Sequence, residues 1–229
     1  MQPQAPQIDT QQLLRVTLLV VVLIFSVVVH EVAHAWQARR EGDDTADRLG
    51  RITLNPLPHL DPIGSVILPL ILALTGGVIF GWAKPVPVNP LNYRQYVAGD
   101  IRVSLAGIVS NLGLAAIATL LAGIVLKLSV LVHPFAGVGS VLLTALDYAI
   151  YINLILAFFN LIPVPPLDGS HVLAHALPPE AAQRYRQLGR YGLLIVMGLI
   201  LLAPGLINTF LWPVYQLRGL ADQFIRLWI

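Results

Sequence analysis

Cysteine is absent from this chain, which excludes disulfides, thiolate metal sites and thiol nucleophiles together. Any metal must therefore be held by His, Asp or Glu. Charge is scarce too: 11% of the 229 residues are Asp, Glu, Lys or Arg, where a soluble domain carries about 25%. So few charges cannot cover a water-facing surface. The formal net charge of +2 gives no case for nucleic acid and reports only where loops lie. Internal repeats, low-complexity tracts and heptads are missing as well, which removes solenoid and coiled-coil architectures.

Apolar sequence is plentiful, at 56% of residues and a mean hydropathy of +0.75. This reads as an all-α polytopic membrane protein in which lipid is the main solvent. Residues 13–38 form the first span; the polar stretch before it lacks the basic start of a secretory signal, so the span is expected to be retained. Residues 42–59 are polar, with Arg51-Ile-Thr-Leu54 a candidate short strand and Asn55-Pro56 a turn. Residues 61–82 are apolar but broken by Pro62, Gly64, Pro69, Gly76, Gly77 and Gly81, which predicts a segment that re-enters without crossing. Proline-rich residues 84–90 extend it, since residues before proline favour extended geometry, so 61–90 is one re-entrant and extended unit. Residues 103–126 form a second clear span, with Ala106, Gly107 and Ser110 suited to close helix packing. A third occupies 140–169, running through Pro163-Val-Pro-Pro166 into Leu167-Asp168-Gly169. A short amphipathic helix is expected at 170–177, and residues 188–229 supply further C-terminal helices. The last of these, 206–229, carries Arg218, Asp222 and Arg226 and reads as interfacial.

Chemistry concentrates in His30-Glu31-Val32-Ala33-His34, at the end of the first span. On a helix, residues four apart share a face, so both imidazoles can reach one metal ion while Glu31 projects about 100° around. Two imidazoles leave two places in a tetrahedral shell, one for a third protein ligand and one for a water whose proton Glu31 can take. A surface cluster of polar side chains is the plain alternative. The uncharged residues 16–29 count against it, because ionisable groups at membrane depth are costly and usually functional.

Four carboxylates are candidate third ligands: Asp61, Asp100, Asp147 and Asp168. Asp168 stands out because three prolines open the end of its span, and irregular backbone at membrane depth is tolerated only where protein buries it or a polar cavity adjoins it. It could equally cap the helix that follows, with His171 the competing ligand.

HEVAH together with Asn160-Leu-Ile-Pro163-Val-Pro-Pro-Leu-Asp168-Gly169 resembles the site-2 protease family of intramembrane zinc metalloproteases, whose motifs are HExxH and an N-x-x-P…LDG segment. Three further stretches look like the short bacterial and archaeal branch that lacks a PDZ domain: Leu54-Asn-Pro56 with Leu60-Asp-Pro-Ile-Gly64, Gly81-Trp-Ala-Lys-Pro-Val-Pro-Val-Asn89, and Ser104-Leu-Ala-Gly107 with Asn111. The resemblance implies that His30, His34 and Asp168 hold one zinc ion, that Glu31 is the general base and that Asn160 positions the substrate or its oxyanion. Ile108 departs from the family, which often has proline there; this touches helix shape and leaves the chemistry alone. Asn111, His59 and His171 are left as packing or local hydrogen-bonding groups.

If His30 and Asp168 meet at one metal, their two spans run parallel, and an even number of crossings separates them. Residues 103–126 and 140–162 supply two, which agrees with re-entry of 61–82. Arg39, Arg40, Arg48, Arg51, Lys84, Arg94, Arg102, Arg184, Arg186 and Arg190 then share one side, with Lys127 opposite, so the site faces the cytoplasm of a plasma membrane. The leading function is intramembrane endopeptidase, with a transmembrane protein as substrate and the bilayer as partner. A zinc transporter or sensor is the runner-up, and Glu31 discriminates because a carrier needs no base beside its ligands. A proteolytically silent scaffold is disfavoured, since every expected catalytic residue is present. In Lys84-Pro-Val-Pro-Val-Asn89 the prolines strip donors from one edge. Val86 and Val88 keep theirs on the other, a candidate edge for pairing with unwound substrate, against the alternative of a rigid connector.

Overall fold

The computed structural model describes residues 10–67, 71 and 84–229. Three long helices form its centre: α1 (Thr10–Glu41), α3 (Tyr96–Leu131) and α4 (Ala136–Asn160). A single turn, α2 (Thr45–Arg48), follows α1. Beyond α4 come α5 (Gly169–Ala176), α6 (Pro179–Gln187), α7 (Gly192–Leu202) and α8 (Pro204–Arg226). Among the described residues four stretches are long and apolar enough to cross a membrane: Thr10–Glu41, Tyr96–Leu131, His133–Asn160 and Pro179–Leu202.

Helix α3 is packed in the manner of a lipid-immersed helix. Its buried face reads Gly99, Val103, Gly107, Asn111, Ala115, Ala118 and Ala122, mostly small residues three or four apart that let neighbouring backbones approach. Val109, Ile117, Leu120, Leu121 and Ile124 point outward. Large side chains outside and small or polar ones inside would be costly in water, and in hydrocarbon they cost nothing. Contacts run antiparallel along α1, with His34 at Val103 and His30 at Asn111. They run antiparallel along α4 too, where Asn111 meets Asn153 and Ser129 lies by Gly139. Helices α1 and α4 are therefore parallel, as two crossings between them require.

The connection between α1 and α3 departs from expectation in part. Residues 51–54 join no strand: the Arg51 N–H donates to Ala46 O at 2.8 Å, closing the turn after α2, and a lone run of four residues has no ladder to satisfy it. The turn at Asn55 forms, with its Oδ1 accepting from the Leu57 N–H at 3.1 Å. Pro62–Ile67 is a π-helical turn; most of the remaining segment, and with it the expected re-entry, lies outside the described residues. Residues 84–89 carry neither helix nor sheet. They are fastened to the cap of α1 by Asp43, whose Oδ2 accepts the Asn89 N–H at 2.6 Å and whose Oδ1 accepts from Asn92 Nδ2 at 2.8 Å. Burial works to raise the pKa of Asp43, but hydrogen bonds from Thr45, Asn89 and Asn92 outweigh it and hold the carboxyl below its usual range.

Helix α8 also differs from the sequence expectation. It does not lie flat at an interface but packs lengthwise on α3 and α4, burying Val214 and Ala221 against Ala115, Ala118, Ile150 and Leu154. Arg218 pairs with Asp147 at 2.6 Å, which neutralises one of the three charges that suggest an interfacial helix. Its end brings Trp228 to Gly123.

Because the chain has no native cysteine, single-cysteine labelling tests this arrangement. Asp47→Cys and Leu91→Cys, both at exposed positions, should label from one face of a membrane and Leu131→Cys from the other. Labelling of Asp47→Cys and Leu91→Cys from opposite faces would overturn the topology.

Candidate metal centre

Polar groups inside an apolar bundle must find partners, and here those partners set which atoms remain available. His30 Nδ1 lies 2.6 Å from Asn111 Oδ1 and His34 Nδ1 lies 2.7 Å from Val103 O. Both oxygens only accept, so each Nδ1 carries the proton and each Nε2 is left as a bare lone pair. The two Nε2 atoms are 3.0 Å apart, and Asp168 Oδ2 stands 3.2 Å from one and 3.3 Å from the other.

Three lone pairs facing one another repel unless a cation lies between them. Asp168 Oδ2 is buried and accepts no hydrogen bond, so among the described residues nothing relieves it. Ligands about 2.0–2.1 Å from a tetrahedral zinc ion sit about 3.3 Å from one another, which matches the edges of this triangle. The donor set, two imidazoles and one carboxylate, fits zinc and keeps a fourth position open. Glu31, on the next residue around the helix, stays outside the triangle; its Oε2 accepts the Val86 N–H at 2.8 Å.

Each carboxylate left open by the sequence now has a place. Asp61 Oδ1 accepts the N–H groups of Ile63 and Gly64. Asp147 pairs with Arg218. Asp100 is buried and binds His175 at 2.7 Å and His171 at 3.2 Å, which removes His171 as a competing ligand. That contact holds the pKa of His171 above its ordinary value, outweighing burial. Asp168 makes no side-chain cap on α5, so of its two sequence readings the cap is not realised. Asn160 is not drawn to the triangle; its Nδ2 donates to Leu156 O at 3.0 Å. Of the two valine donors on the proline-rich segment, the Val86 N–H serves Glu31, while the Val88 N–H meets no acceptor among the described residues.

Helix α3 supports every part of the centre. Asn111 and Val103 O orient the two imidazoles, and Asp100 grips α5, the helix that follows Asp168. Asn111 is itself oriented, donating from Nδ2 to Asn153 Oδ1 at 2.7 Å, while Asn153 Nδ2 donates to Ser26 Oγ at 2.9 Å. Gly107 lets the rings rest on the helix: a Cβ there would lie 2.5 Å from both His30 Cε1 and His34 Nε2. Gly169 has the same use, since a Cβ would lie 2.2 Å from Leu161 O. Sequence reasoning left Asn111 as a packing group. The available signal was an amide in an otherwise apolar span, which is costly without a partner.

A zinc-type donor set sunk among lipid-facing helices defines a class, the membrane-embedded metalloproteases. The model of peptidase family M50 matches residues 18–203, and the chain belongs to that family, the site-2 proteases. A Bacillus subtilis (strain 168) protein named "Putative zinc metalloprotease YwhC" is 39% identical over 214 residues, covering 91% of this chain and 90% of the relative. Proteins named "Putative zinc metalloprotease Rip2" are 31% identical in Mycolicibacterium smegmatis, over 84% of this chain and 69% of theirs, and 30% in Mycobacterium tuberculosis H37Rv, over 89% and 74%. No solved structure matches the chain. The protein is thus a zinc metalloprotease with a multi-span helical fold.

Gly107→Ala should remove zinc binding, read by metal analysis of the purified protein, because the added methyl displaces both rings. Asn111→Leu should weaken zinc affinity by about 10–100-fold while the helices stay folded by circular dichroism; unchanged affinity would show that His30 needs no orienting partner.

Proposed function

We propose that the chain is an intramembrane endopeptidase, which hydrolyses a peptide bond within or beside a transmembrane segment of another protein. The observation that carries this reading is the separation of roles in one helical turn: His30 and His34 converge with Asp168, while Glu31 is held apart from them by Val86. A zinc carrier or sensor built on the same ligands would have no use for that held carboxylate.

In this reading His30, His34 and Asp168 hold one zinc ion. When bound, zinc supplies the Lewis acidity that acidifies water and polarises a scissile carbonyl. Glu31 takes a proton from the attacking water as its oxygen bonds to the carbonyl carbon, and delivers it to the nitrogen as the C–N bond breaks. One water is consumed, and its two protons end on the new amino group, so that a carboxylate and an ammonium leave. Asn160 is assigned to the developing oxyanion, its Nδ2 turning there from Leu156 O.

A transmembrane substrate hides its peptide bonds in a helix, so it must unwind locally, and lipid offers its freed backbone groups no partners. The segment 84–89 can offer them by strand addition. The Val88 N–H, which meets no acceptor among the described residues, is available for this, and Val86 would contribute on release from Glu31. Ten of the fourteen basic residues belong to the end of the bundle that bears the site, and Arg15, Lys127, Arg218 and Arg226 to the other. By the positive-inside rule the site then faces the cytoplasm of a plasma membrane.

Glu31→Gln should abolish cleavage, by about a hundredfold or more, with zinc still bound, whereas Asp168→Ala should lose zinc. Near wild-type cutting by Glu31→Gln would take proton transfer away from Glu31. Val88→Pro should impair cleavage severely with zinc and fold preserved, and Val88→Ala only mildly. Equal activity of those two variants would mean that the Val88 N–H does not hold substrate.

A further inference from the structure

We infer that Arg51 is a positioning residue for Glu31, acting through the backbone of residues 84–86. The inference rests on the proposal that Glu31 is the general base. Arg51 is 9% exposed, and no carboxylate lies within ion-pair distance of it among the described residues. Burying a guanidinium without a counter-charge is expensive, so what it touches accounts for its place. Arg51 Nη2 donates to Lys84 O at 3.0 Å and to Pro85 O at 3.3 Å. One residue further on, the Val86 N–H donates to Glu31 Oε2 at 2.8 Å.

These contacts form a chain with few alternatives. Residues 84–89 belong to no sheet, so their carbonyls lack ladder partners, and Pro85 and Pro87 offer no donors of their own. The segment is fastened at its start, where the Lys84 N–H reaches His59 O at 2.8 Å, and at its end, where Asn89 reaches Asp43 at 2.6 Å. Between these points, among the described residues, only the guanidinium holds the carbonyls of Lys84 and Pro85, and the peptide plane after Pro85 carries both Pro85 O and the Val86 N–H. Pinning that oxygen sets the direction of the N–H that holds Glu31. The Val86 side chain adds a second support by packing on Ala35 and Ala46, the former one residue past His34. A single nitrogen, Nη2, reaches both carbonyls; a lysine ammonium, which ends one bond nearer its own backbone, would reach them less well.

The test uses the zinc-loaded full chain in liposomes and a fluorogenic single-span peptide that the wild-type protein cleaves. Arg51→Gln and Val86→Pro should each lower kcat by about ten- to hundredfold with zinc content unchanged, and Arg51→Gln should keep KM within about twofold. Because both act through one N–H, the double variant should be no slower than the slower single variant. A wild-type kcat for Arg51→Gln, or a double variant whose loss is the product of the two, overturns the inference. If Arg51→Gln loses zinc or fails to fold, Arg51→Lys carries the same cycle. It is expected to keep zinc with a lowered kcat that is likewise coupled to Val86→Pro, and a wild-type kcat overturns the inference in the same way. Glu31→Gln measured in parallel separates the two failures. If it still cuts, the general-base reading falls; if it is inactive while Arg51→Gln and Arg51→Lys cut at full rate, only the role of Arg51 falls.

Discussion

Two protons, one on each Nδ1 of His30 and His34, govern the whole site. Asn111 Oδ1 and Val103 O accept them, and neither oxygen can give a proton back. Both Nε2 lone pairs are thereby turned toward Asp168 Oδ2, which has no donor of its own. The resulting triangle of lone pairs is unfavourable by itself and suited to a cation. Selection of one tautomer by a neighbouring acceptor is a small local event, and here it decides the chemistry of the protein's centre.

Both acceptors belong to α3, and so does the aspartate that grips α5. Helix α3 can be this close because its inner face is small. Gly107 lies where any side chain would collide with the imidazoles, and Ala115, Ala118 and Ala122 continue that face toward the far end. In hydrocarbon, association of helices depends on van der Waals fit and buried hydrogen bonds, with no hydrophobic drive between them. The Ser26, Asn111 and Asn153 network therefore joins α1, α3 and α4 and at the same time orients the His30 imidazole.

Around this rigid centre the segment 84–89 is held differently, by side chains reaching its backbone. Arg51, Glu31 and Asp43 each take one part of it. A backbone held by side chains can exchange them for another strand without breaking a sheet. That property suits a segment proposed to receive substrate beside the carboxylate that would act on it.

From sequence alone came the class of fold, the spans and the likeness to the site-2 proteases, because apolar length and an i, i+4 histidine pair on a helix are local properties. HEVAH and the Leu-Asp-Gly motif were legible for the same reason. Whether Asp168 caps α5 or joins the histidines was not legible, since both roles place an aspartate before a helix. Only the meeting of α1 with the end of α4 chose between them. The lengthwise packing of α8 was hidden because Arg218 reads as a surface charge until Asp147, far away in sequence, is brought against it. The use of Asn111 and Arg51 was hidden likewise: a polar side chain in an apolar or loop segment announces that it needs a partner, but which partner it finds is a matter of three-dimensional proximity. Sequence determined which groups could bind a metal and donate or accept protons, and the tertiary structure decided which of them face one another.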